Sequence, residues 1–261
     1  MDFQRLNFRG PRGWIEALGL AALALSGCLG FYGRVLAGRA RFDLPAFAAA
    51  LQQSGLSILP AITLVMVAIG LILGHQVEGI LTQFDLPVVV ILTVALVIII
   101  EVLPVLVGIL VAGRAGVALA VRQATLLATG EMDGLLVCGI APLPFTLAPV
   151  LLAMLLMSFA FVVWGTLVTF TVAGAWLWAS AGVAPALYLE MLTSALTPAA
   201  LIEALVKPLL FAVLIALIAT LNGIGAGRRP GGIAGAATGT MIGAVTAILV
   251  TDLLYIVLVR V

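Results

Sequence analysis

Residues 134–189 read GLLVCGIAPLPFTLAPVLLAMLLMSFAFVVWGTLVTFTVAGAWLWASAGVAPALYL, 56 residues without a charged side chain. A helix that crosses a bilayer needs about 20 apolar residues, so this stretch reads as membrane-embedded. It can hold one long crossing plus re-entrant or outer structure, or a tight hairpin of two crossings. The rest of the chain is equally apolar. Of 261 residues, 64% are hydrophobic and 9% are charged. Soluble domains carry about 25% charged residues. The 12 basic and 11 acidic side chains are too few to cover a soluble protein of this length. Soluble globular, disordered and nucleic-acid-binding classes are thereby excluded. The expected fold class is all-α, a polytopic membrane protein of one domain over residues 1–261.

Charge-free runs place the other crossings at about 56–80, 86–112, 201–221 and 233–259. Orientation follows from the basic residues. Five crossings, with the N-terminus inside and 134–189 crossing once, put ten of the 12 basic residues at or near the inner side. A crossing N-terminal segment would move Arg114, Arg122, Arg228 and Arg229 outward. A double crossing in 134–189 would move Arg228 and Arg229. The N-terminal segment, 1–45, is therefore expected to lie in the interface. Within it Leu25-Ser26-Gly27-Cys28 spells a lipoprotein cleavage pattern. We expect no processing there, because Glu16 interrupts the run and both its ends are basic.

Three charges fall inside apolar crossings: Glu101, Lys207 and Asp252. Each would cost about 2.5–3.5 kcal/mol at the bilayer centre on insertion scales. They form either a satisfied ion-pair network or a polar element that responds to transport, and Lys207 and Asp252 are plausible partners. Gly231, Gly235, Gly239 and Gly243 recur every four residues, a face that admits another backbone, either within the chain or between copies. Ala112-Gly113-Arg114-Ala115-Gly116 is read as the end of the second crossing. Residues 125–139 then read as an amphipathic helix outside the membrane, with Glu131 and Asp133 as an acidic patch. His75, Gln76 and Glu78 cluster at the outer end of the first crossing, as ordinary interface or as the rim of a cavity.

The absences are also informative. The single lysine, Lys207, precedes Pro208, so no phosphate-binding loop of the Gly-Lys-[Ser/Thr] kind exists. No hydrolase motif occurs, and one histidine with two distant cysteines offers no metal spacing. The chain is expected to carry no catalytic residue, no metal and no cofactor of its own.

Glu101-Val102-Leu103-Pro104-Val105 followed by Ala112-Gly113-Arg114-Ala115-Gly116 resembles the pattern of MlaE-type permeases. Glu131-Met132-Asp133-Gly134-Leu135 with Gly139-Ile140-Ala141-Pro142 is similar to a second stretch of that family. Lys207, Asn222-Gly223 and Asp252 also fall where such permeases carry similar residues. The resemblance runs from about residue 50 to the end, and its specific part is 101–142. It implies a permease subunit of an ABC transporter that moves phospholipid or a related lipid between bacterial membranes. It implies residence in the bacterial inner membrane and a dimer, as a homodimer or beside a second permease. It further implies partner ATPase subunits that bind ATP and magnesium, an MCE-domain ring on the outer face, and in some systems a STAS-domain regulator. Residues 114–141 become the cytoplasmic coupling region, with Arg114, Arg122, Glu131 and Asp133 as candidate ATPase contacts. Several positions depart from the pattern. Ile100, Val150 and Gly239 stand where the family carries arginine, and Val121-Arg122-Gln123-Ala124 replaces a stretch with an acidic residue. These departures leave room for a non-transporting scaffold that anchors a lipid-binding ring.

Overall fold

The computed structural model describes residues 11–39, 43–84, 88–195, 197–227 and 231–260. Arg5, Arg9, Arg41, Arg228 and Arg229 of the orientation argument lie outside the described residues. Helix is the regular structure throughout, with no strand among the described residues. In chain order the helices are α1 (Pro11–Leu36), α2 (Leu44–Leu51), α3 (Leu59–Phe84), α4 (Val88–Val111), α5 (Val117–Ala128), α6 (Glu131–Val137), α7 (Pro142–Ala181), α8 (Pro185–Ala195), α9 (Pro198–Gly225) and α10 (Gly232–Arg260). Two π-turns, Gln52–Leu56 and Ala112–Gly116, follow α2 and α4. Six helical stretches are long and apolar enough to cross a membrane: 15–36, 44–80, 100–128, 142–181, 198–225 and 232–258.

The charge-free stretch that opened the reading resolves into one helix. α7 runs unbroken for 40 residues, about 60 Å at 1.5 Å per residue. That excludes the two-crossing hairpin. Pro149 removes one backbone donor within α7, and the helix continues through it. α8, with 11 residues, is too short to cross.

Two expected boundaries are corrected. The helix of the second crossing does not end at Arg114. The π-turn at 112–116 absorbs one extra residue and passes the chain straight into α5, so the apolar helix reaches Ala128. The amphipathic helix expected over 125–139 is not one helix. Gly130 adopts a left-handed conformation (φ 81°), which breaks the chain between α5 and α6. The helix that carries the acidic patch is α6 alone, and Gln123 is fully buried in α5.

The chain divides into two compact units. One comprises Met1–Ser57, Gly108–Met157 and Leu210–Val261. Its core is rich in alanine, with Ala112, Ala120, Ala124, Ala148, Ala212, Ala216 and Ala244 fully buried. Small side chains let helix backbones approach, which is how helices associate in lipid. Gly108 faces Phe211, Gly116 faces Ile215, and Gly223 faces Ala120 and Gln123. α9 therefore runs in the same direction as the α4–α5 rod. Gly108 also faces Ile248, and Gly116 faces Thr240, so α10 runs oppositely. Two helices that point the same way across a membrane are separated by an odd number of crossings. α7 supplies the one between α5 and α9, in agreement with a single crossing in 134–189. Gln123 Nε2 donates to Thr146 Oγ1 at 2.9 Å in this core. Thr146→Val is expected to cost about 1–3 kcal/mol by stranding that amide, whereas Gln123→Leu with Thr146→Val should recover most of the loss. Thermal unfolding of the three variants checks this.

The other unit comprises Ile58–Val107 and Ser158–Leu209. Here α3 and α7 run side by side in the same direction. Trp164 Nε1 donates to Thr63 Oγ1 (3.0 Å) and Thr169 Oγ1 to the Met66 carbonyl (3.4 Å). Gly70 and Gly74 admit Val172 and Trp176, at approaches that a Cβ would block. The odd crossing between α3 and α7 is the α4–α5 rod. α8 folds onto α7 through Tyr188, whose ring lies on Gly174 and whose hydroxyl donates to the Phe170 carbonyl (3.0 Å). Burial pushes the Tyr188 phenol up to about 12.

Candidate functional site

Three groups of polar residues stand out from the apolar background. The first lies inside the second unit. Lys207, 3% exposed, is bonded to Glu101 Oε2 of α4 and lies 3.1 Å from Glu203 Oε1, one turn earlier on α9. Burial requires the ammonium to be paired, and two carboxyl groups flank it. Pro104 and Pro208 sit within a turn of the group, and each removes a backbone donor from its helix. Sequence reasoning named Glu101 and Lys207 and missed Glu203. Its signal was present: glutamate four residues before lysine is the favoured helical order. Both described partners of Lys207, Glu101 and Glu203, belong to its own unit. Asp252 belongs to the other unit and is half-buried on α10.

The second group is near the C-terminal end of α3. Glu78 Oε2 accepts from Trp176 Nε1 at 2.8 Å and lies 3.9 Å from His75 Nδ1. The His75 and Trp176 rings meet edge to face, with centroids 5.9 Å apart. Gln76 is exposed beside them. Trp176 is the member the sequence reading did not include. A tryptophan near the end of an apolar run is the usual mark of an interface, and that signal was available.

The third group is carried by α6 in the first unit. Met132 is fully buried with Leu127, Leu143 and Ile224, which pins α6 by its second residue. Glu131 and Asp133 stand on either side of that anchor, exposed in the first helical turn, where acidic groups suit the helix dipole. Thr129 Oγ1 donates to Glu131 Oε1 at 3.0 Å. Beyond them Leu136 (40% exposed) and Val137 (89% exposed) present apolar surface, followed by exposed Cys138. Arg114 is exposed on the π-turn and Arg122 on α5. Neither shares the face of α6 by any described contact.

The glycine series is only partly a packing seam. Gly239 lies against Asn222 (3.4 Å from an ideal Cβ) and Gly243 against Ile218 (3.2 Å). Gly235 faces open space. Gly231 is not on the helix face at all: with φ 76° it turns the chain into α10.

No group of three or more histidine, cysteine or acidic side chains able to hold a metal occurs among the described residues. No curated protein matches the chain. A family model described as Permease MlaE matches residues 47–258, which takes in α3 through α10 and all three polar groups. The chain belongs to the MlaE permease family.

Proposed function

We propose that this chain is the membrane subunit of an ABC transporter that moves phospholipid or a related lipid in the bacterial inner membrane, driven by a separate ATPase. The family match over 47–258 carries this reading. The absence of a phosphate-binding loop from the sequence supports it, since the nucleotide must then be bound by a partner. The partners proposed with it are two ATPase subunits, an MCE-domain ring, a second permease chain and, in some assemblies, a STAS-domain regulator.

In this reading α6 is the coupling element. It is short, rigidly anchored by Met132, and presents two carboxylates beside an apolar strip of Leu136 and Val137. Exposed apolar area rimmed by charge is the usual form of a protein contact. α1 lies in the interface. Gly27 meets Pro144, and Tyr32 donates to the Ala148 carbonyl (2.6 Å), so α1 follows the direction of early α7. A crossing α1 would be separated from α7 by two crossings and would have to oppose it. The His75–Glu78–Trp176 group is assigned to the outer rim of the lipid path.

The test is ATP-driven lipid transfer by the purified complex in vesicles. Glu131→Lys with Asp133→Lys should lower lipid-stimulated ATPase activity at least about tenfold while the chain still folds, since like charges across an interface cost several kcal/mol. Unchanged coupling in that variant would remove α6 from the docking surface.

A further inference from the structure

We propose that Tyr32 bolts α7 across a flex point at Pro149, and that α1 must come off α7 before α6 can swing the first turns of that helix. The proposal rests on the reading of α6 as the coupling element. All of its parts belong to the first unit.

The flex point follows from the backbone. Pro149 has no amide hydrogen, so the helical bond to the Phe145 carbonyl is missing inside α7. Close by, a side chain enters the ladder. Tyr32 donates its hydroxyl to the Ala148 carbonyl at 2.6 Å, and the Leu152 amide faces the same phenolic oxygen. In a regular helix that carbonyl and that amide serve each other alone. Helices bend at proline and where a side chain inserts into the ladder, and both occur here within about one turn. Ala148 stands before the proline and Leu152 after it, so one hydroxyl holds the two sides of the flex point together.

The residues before Pro149 form a short lever. Residues 142–148 make about two turns. Leu143 packs with Met132 of α6, so a displacement of α6 reaches the lever there. Thr146 is held by Gln123 of α5. Pro144 is held by α1, where an ideal Cβ on Gly27 would lie 2.7 Å from Pro144 Cγ. Of these holds, the one from α1 is the easiest to release, because 11% of its apolar window 15–36 is buried. The seam between α1 and α7 also contains a reporter. Ala24, Cys28 and Tyr32 recur every four residues along one helical face, and Ala24 and Cys28 are fully covered. The Cys28 thiol is reached only when α1 moves off.

Alkylation of Cys28 by iodoacetamide, read by peptide mass spectrometry on the purified complex, tests the proposal. At rest Cys28 should be nearly inert. Tyr32→Phe keeps the ring and removes one neutral hydrogen bond, so the Cys28 rate should rise about fivefold. Gly27→Ala, which wedges a Cβ against Pro144, should raise it too. Thr63→Val removes the bond from Trp164 in the other unit and should leave the rate unchanged. During turnover, ATP and magnesium should raise the Cys28 rate of the unaltered complex, a response that a purely structural bond does not give. An unchanged rate in Tyr32→Phe overturns the bolt. An equal rise in Thr63→Val makes the exposure general unfolding and overturns it as well. Lipid transfer without a rise in the Cys28 rate overturns the release of α1. If no lipid is transferred at all, the transporter reading falls, and the resting rates still decide whether Tyr32 bolts α7.

Discussion

Replacing Lys207 with methionine is expected to destabilise the protein more than any other single change to its charged residues. The ammonium is 3% exposed and sits between Glu101 and Glu203. Without it, two carboxyl groups face each other at a buried site with no cation between them. Breaking a buried pair by removing one partner costs about 3–5 kcal/mol, because the remaining charge stays desolvated. Thermal unfolding and the yield of monodisperse complex should both fall sharply for Lys207→Met. Glu203→Gln should be milder, since it leaves one cation matched to one carboxylate. The triple variant Glu101→Gln, Glu203→Gln, Lys207→Met removes these three charges in similar volume and should recover most of the stability. That variant also separates the two roles open to this group. Recovery of both stability and lipid transfer makes it a structural clasp. Recovery of stability without transfer makes its charge part of the working cycle. A Lys207→Met protein as stable as the original would refute the geometry itself.

The second large effect is expected at Gly223. A Cβ there would lie 2.6 Å from Gln123 Cβ and 2.8 Å from the Ala120 carbonyl oxygen. The obstacle is backbone and Cβ, which no rotamer change can move aside. Gly223→Leu must push α9 away from α5 and disturb the Gln123–Thr146 bond. Overpacking costs about 1–3 kcal/mol in ordinary cores, and this site has little freedom to relax. Gly116→Ala should cost less, because its nearest neighbour, 2.6 Å away, is a side-chain methyl, Ile215 Cγ2, rather than backbone. Gly235→Ala should be neutral or slightly stabilising, since nothing lies within 4 Å and alanine is favoured in helices by about 1 kcal/mol. Unfolding temperatures that rank these three differently would show that α5 and α9 are not packed through Gly223.

Much of this fold was legible from where charges are missing. Apolar runs marked the helical stretches long enough to cross, and the single helix across 142–181 agrees with the one crossing that the basic residues favoured for 134–189. The boundaries failed where the backbone departed from the α-helix without a warning residue type. Ala112-Gly113-Arg114-Ala115-Gly116 looks like a helix end because it is small and charged. It is instead a π-turn inside a continuous rod, and hydrogen-bond register is not written in hydropathy. Gly130 carried a visible signal for the break before α6 but stood among too many glycines to be singled out. Lys207 and Glu101 were found as isolated intramembrane charges. Their partner Glu203 was passed over because it lies close to the start of its helix, where an acidic residue attracts no notice. Trp176 was missed because its role arises from α3, 98 residues away in sequence.

The placement of the two thiols has a practical consequence. Cys28 is buried and Cys138 is exposed immediately after α6. A maleimide dye added to the native protein should therefore label one position, the end of the segment assigned to coupling. Its fluorescence would report the arrival and departure of the ATPase in real time, with no engineered cysteine and no need to remove the native ones.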